Sequence, residues 1–123
     1  MTDGRRAVIN ALFILNDAPA EPGRSLNALC LASSMSLHAS SYVRVFLLGP
    51  AAACACSVHG LREREASTAL LATVIRHGGE VRICQRSGDE QPGCTGHLIA
   101  GASPASLADL SRWIAEADRV LVF

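Results

Sequence analysis

The sequence predicts an α/β protein, a three-layer α/β/α sandwich around a mostly parallel sheet of about five strands joined by right-handed crossovers. Three observations predict it. Short apolar runs alternate with segments of helical periodicity. The first of these runs, Ala7 to Leu15, is nearly continuous rather than alternating, as expected of a strand buried on both faces. Finally, 123 residues, half of them apolar, suffice for one domain that buries about two thirds of the surface its unfolded chain exposes. Residues 1–123 are read as a single domain without repeat or linker.

Ala7 to Leu15 is the first strand, ended by Asn16-Asp17. After a loop with Pro19, Pro22 and Gly23, Ser25 is the expected N-cap of a helix in which Leu26, Leu29, Cys30, Ser33 and Leu37 recur at helical spacing, placing Cys30 on the core stripe. Tyr42 to Leu48 is a β-branched and aromatic strand closed by Gly49-Pro50. A small-residue turn, Ala51 to Gly60, precedes a helix over Glu65 to His77, with Leu70, Leu71, Val74 and Ile75 inward and Gly78-Gly79 as its stop. Glu80 to Cys84 is the third strand, followed by a polar loop from Gln85 to Gly96. His97 to Ala102 is a candidate for a further short strand. Ser103-Pro104 reads as the cap and first residue of a last helix, whose stripe is Leu107, Leu110, Ile114 and Ala117 with Trp113 beside it. Arg119 to Phe123 is the terminal strand.

Composition excludes several functions. Eleven basic residues balance eleven acidic ones without a basic block, so no nucleic-acid partner is expected. All eleven basic residues are arginines, which removes Schiff-base, phosphate-loop and catalytic lysines. Neither Gly-x-Gly-x-x-Gly nor Gly-x-Ser-x-Gly occurs. Arg5-Arg6, the following apolar stretch and Ala18-Pro19-Ala20 imitate a weak secretory signal, but removing them would delete the first strand, so they are read as part of the fold. No run approaches the ~18 apolar residues of a membrane span. The five cysteines are odd in number and irregularly spaced, which fits a reducing, cytoplasmic compartment.

Cys84 is the first candidate for chemistry, because it stands where a buried strand opens into a loop and ligands of such sheets collect outside the strands' carboxyl ends. The plain alternative is that Cys84 fills core volume. If the first three strands are parallel, the loops after Asn16, Gly49 and Cys84 share one edge, so Cys54, Cys56, His59, Cys94 and His97 are candidates to surround it. Arg82 shares the strand face of Cys84 and Arg86 lies in the loop; a nearby cation favours the thiolate that a nucleophilic cysteine needs. Cys54, Cys56 and His59 offer thiolate and imidazole to zinc or copper, yet Cys-x-Cys is not the Cys-x-x-Cys knuckle and no second pair exists, so neither metal nor cofactor is assigned.

Gly79-Glu-Val-Arg-Ile-Cys84, Leu98-Ile-Ala-Gly101, Leu107 to Trp113 and Ala117-Asp-Arg-Val-Leu-Val-Phe123 closely resemble the DsrE/DsrF-like family, with its YchN-like and TusD-like sulfur-relay branches. The resemblance spans the chain and is strongest after residue 78. It implies a persulfide carrier in which Cys84 accepts sulfane sulfur and passes it on; the shared sheet edge makes Cys94, Cys54 or Cys56 the candidate resolving thiols in that reading. It also implies sulfur donor and acceptor proteins as partners, and a trimeric or hexameric homo-oligomer. YchN-like members carry a second cysteine three residues on and an Arg-Gly step further along the loop, where this chain has Ser87 and Gln91-Pro92. A non-catalytic, oligomeric ligand-binding subunit and a metal-thiolate protein are the alternatives.

Overall fold

The structure, a computed structural model, describes residues 8–20, 23–57, 62–90 and 97–123. Five strands, β1 (Ile9–Leu15), β2 (Ser41–Leu47), β3 (Glu80–Cys84), β4 (Ala102–Ala105) and β5 (Arg119–Val122), form one sheet in the order β4-β3-β2-β1-β5. Every neighbouring pair is parallel, with Phe13 opposite Val45 and Leu121, and Cys84 opposite Ala105. The helices are α1 (Arg24–Ser36), α2 (Arg62–Arg76), α3 (Gln85–Glu90) and α4 (Leu107–Glu116), and a 3-10 helix, Gly49–Ala55, follows β2.

The chain steps outward from β1 to β4 and then returns past β1 to β5. Right-handed connections running in opposite directions put their helices on opposite faces. Accordingly, Phe13, Val45 and Ile83 meet Ala28 and Leu29 of α1 and Leu71 and Val74 of α2 in one core, while Leu12, Phe46 and Cys84 meet Leu110 and Trp113 of α4 in the other. The expected three layers are present.

Several local expectations are corrected. Gly23, at φ 87°, caps α1, and Ser25 lies inside the helix, donating its hydroxyl to the Asp17 carbonyl at 2.5 Å. The buried stripe of α1 is Ser25, Ala28, Leu29, Ala32 and Ser36, so Cys30 faces outward and is exposed. The first half of the expected Gln85 loop is helix α3. Ser103 and Pro104 belong to β4, an edge strand, where a residue without an N–H is tolerated. Ser106 caps α4 instead, in a reciprocal capping box with Asp109. Trp113 is part of the core stripe of α4, whereas Leu107 and Ile114 are exposed. Gly79, at the expected stop of α2, admits no side chain: a Cβ there would lie 2.4 Å from the Val43 carbonyl oxygen.

Candidate functional site

Cys84 ends β3 and immediately precedes α3, so its direction is set by the strand's pleat and by the helix that turns the chain away. Alternation along β3 puts Glu80, Arg82 and Cys84 on the α4 face. Cys84 is 8% exposed and packs in the core cluster of Phe46, Ala105, Leu110 and Trp113. Its outer side opens on a pocket of about 480 Å³ lined by Cys84, Gln85, Arg86, Asp89, Ala105, Ser106 and Leu107. The pocket lies between the start of α3 and the capped start of α4, at the carboxyl edge of β3 and β4.

Two contacts fix that geometry. Ser87, buried on α3, accepts a hydrogen bond from the Gly49 N–H at 2.8 Å, tying α3 to the turn after β2. The Ser106 hydroxyl accepts from the Asp109 N–H at 3.2 Å, while the Asp109 carboxylate accepts from the Ser106 N–H at 2.9 Å. The Ser106 bonds hold the Asp109 carboxyl below the usual range, with Arg112 and Arg82 adding to them. Arg82 lies over the Trp113 ring at 5.6 Å, two residues before Cys84.

The other candidate thiols are placed elsewhere. Cys54 is fully buried in the 3-10 helix, in the core cluster of the α1/α2 face, the opposite side of the sheet from Cys84's cluster. Burial pushes its thiol pKa up to about 12 against an opposing hydrogen bond with Ser25. Cys56 is disulfide-bonded, where the reading of a reducing compartment expects free thiols. His97 does not line the Cys84 pocket; its carbonyl receives the Ser57 N–H at 2.5 Å, beside an antiparallel bridge between Cys56 and Leu98. His59, Cys94 and the Gln91-Pro92 step lie outside the described residues. Among the described residues no three His, Cys, Asp or Glu side chains are grouped to hold a metal ion, and no helix is long and apolar enough to cross a membrane.

Toward the amino ends of the same strands, sequence reasoning missed a charged cluster. Arg44 bonds Glu80 at 3.0 Å and Glu116 at 2.6 Å and stacks on the rings of Tyr42 and Trp113 at 5.1 and 4.8 Å. The Tyr42 hydroxyl donates to Glu80. The signal was available in Tyr42-x-Arg44 and Glu80-x-Arg82, polar residues at alternate positions of two strands that otherwise read as buried.

An open parallel sheet between helical layers, with the strand-end Cys84 beside a pocket at its carboxyl edge, defines the chain as a small three-layer α/β protein. Within that class, the DsrE/DsrF-like family model matches residues 10–123, and the chain belongs to this family. Its fold is similar to the crystal structure of the YchN protein from E. coli, with a TM-score of 0.84 and 24% identity over 94% of this chain and 100% of that one. It is also similar to MTH1491 from Methanobacterium thermoautotrophicum, a protein of unknown function, with a TM-score of 0.72 and 11% identity over 94% and 99% of the two chains. No curated protein matches the sequence.

Proposed function

We propose that the protein is a small cytoplasmic sulfur carrier in which Cys84 accepts sulfane sulfur as a persulfide and delivers it to an acceptor thiol. One observation carries this reading: among the free cysteines Cys30, Cys54 and Cys84, Cys84 alone lines the pocket at the carboxyl edge of the sheet. Membership of the DsrE/DsrF-like family supports a sulfur-relay role on this fold. The carrier works with this single thiol in the described part of the chain, since Cys54 is in the other core and Cys56 is bonded. In a cytoplasmic setting the Cys56 disulfide is a transient one. Its partners are a sulfur donor and an acceptor, and it self-associates as a trimer or hexamer, a reading supported by exposed Ile114, Val120 and Val122.

The test is incubation with inorganic polysulfide followed by persulfide-selective tagging and peptide mass spectrometry. A +32 Da adduct is expected on the Cys84 peptide, and Cys84→Ser should abolish it. Sulfur mapping only to exposed Cys30 would refute the proposal.

A further inference from the structure

The Cys84 pocket carries a charge of each sign on one short helix. Arg86 and Asp89 both line it, three residues apart on α3, a spacing that makes them surface neighbours with Cβ atoms about 5–6 Å apart. They are not paired with each other. Arg86 takes Glu90 at 3.6 Å, with the two side chains 89% and 65% exposed, and a contact so open to solvent is readily given up. Asp89 has no ion-pair partner among the described residues. The pocket therefore offers a guanidinium, a carboxylate and a thiol together, with Ala105 and Leu107 as apolar wall.

A free α-amino acid presents the complementary set: a carboxylate and an ammonium on one carbon, with the side chain leading away from both. We propose that the sulfur donor at this site is a low-molecular-weight aminothiol persulfide, of which cysteine persulfide is the simplest. Its carboxylate is held by Arg86, its ammonium by Asp89, and its terminal sulfur is presented to Cys84. This inference rests on Cys84 being the sulfur acceptor. The Cys84 thiolate attacks the terminal sulfur of R–S–SH; the new S–S bond forms as the donor's S–S bond breaks, and the electron pair leaves on R–S⁻. The proton that Cys84 gave up ends on the released thiol, and Cys84 is left as Cys–S–SH. Sulfur moves from one thiol to another, so no external oxidant or reductant enters. A cysteine inside a polypeptide lacks both free charges and would leave Arg86 and Asp89 unused.

Three donors test this on a Cys30→Ser background: cysteine persulfide, its N-acetyl form lacking the ammonium, and its methyl ester lacking the carboxylate. Single-turnover loading is read on the Cys84 peptide by persulfide-selective mass spectrometry. The parent donor should load about three- to fivefold faster than either blocked form, the range expected of partly exposed charge pairs. Asp89→Asn should erase the disadvantage of the N-acetyl donor alone, and Arg86→Gln that of the methyl ester alone. Each variant's ratio between donors is compared with the same ratio in the parent protein, so intrinsic donor reactivity cancels and partial loss of protein does not imitate the result. Equal rates from all three donors, or preferences that the variants leave intact, overturn this inference while loading itself leaves the carrier reading standing. No persulfide on Cys84 from any donor overturns both.

Discussion

The Ser87 hydroxyl accepts the Gly49 N–H across 2.8 Å and thereby joins the helix after Cys84 to the turn after β2. By resemblance, Ser87 stands where YchN-like relatives carry a second thiol. In this chain the position ties α3, whose Gln85, Arg86 and Asp89 line the pocket, to the turn after β2. Ser87 is 8% exposed, so removing its hydroxyl leaves a backbone donor without its partner. Ser87→Ala should lower stability by about 1–3 kcal/mol, read from urea midpoints at unchanged slope. A variant as stable as the parent would show that water replaces the hydroxyl.

The cluster around Glu80 gives the protein an acid-sensitive contact. Burial works against ionising Glu80, but hydrogen bonds from Tyr42 and Arg44, with the charges of Arg44 and Arg82, outweigh it and hold the carboxyl below its usual range. Because the folded pKa is the lower one, ionised Glu80 adds stability that is complete above the ordinary glutamate value of about 4.3 and is lost as pH falls through the folded value. Glu80→Gln should therefore be less stable than the parent at neutral pH and converge with it toward pH ~3. Its side chain is 36% exposed, and screening keeps the neutral-pH difference to about 1 kcal/mol or less. Fluorescence of Trp113, the single tryptophan, follows both unfolding curves. A difference independent of pH would contradict the assignment.

Thiol accessibility separates two cysteines that look alike in the sequence. Cys54 is fully buried with its thiol pushed up to about 12, whereas Cys30 is exposed on α1. Iodoacetamide at pH ~8 should alkylate Cys30 in the native protein and reach Cys54 only on unfolding, because the thiolate is the nucleophile. Labelling of native Cys54 at the Cys30 rate would contradict this packing.

β1 and β2 were legible as runs rich in apolar, β-branched and aromatic residues bounded by turn residues, and β3 as the short segment Glu80-Val-Arg-Ile-Cys84 after Gly78-Gly79. β4 was not: Ala102-Ser-Pro-Ala105 has no strand propensity and pairs because β3 offers an open edge beside it. Pro104 after Ser103 imitates a helix start, but the box between Ser106 and Asp109 satisfies more backbone donors and decides the boundary. α1 misled for a different reason. It packs closely through Ser25, Ala28, Leu29 and Ala32, so Leu37, expected on the buried stripe, is left outside and Cys30 with it. In the site, the position of Cys84 was readable from the strand end. The separation of Cys54 was not, because both loops do leave the same edge, and it is the face each thiol packs on that divides them.

The two faces of the sheet are covered unequally, and that asymmetry bears on assembly. Five strands at about 4.8 Å spacing make a surface about 20 Å wide, whereas one helix covers about 10 Å. Among the described residues, α1 and α2 together cover one face and α4 alone covers the other, its Trp113 packed with Phe46, Arg44 and Arg82 of β2 and β3. Among the described residues nothing packs over β5, at the far edge, on that face: Val120 and Val122, in register with Leu12 and Ile14, are 42% and 64% exposed, and Ile114 of α4 is 45% exposed. An apolar strip beside an open strand edge is stabilised by a second surface laid against it. Light scattering should give a multiple of the 12.9 kDa chain mass. Val122→Asp leaves both cores untouched and should shift the mass toward the single chain, with native thiol accessibility retained. A monomer at high concentration in the parent protein, or an assembly indifferent to Val122→Asp, would place the contact elsewhere or remove it.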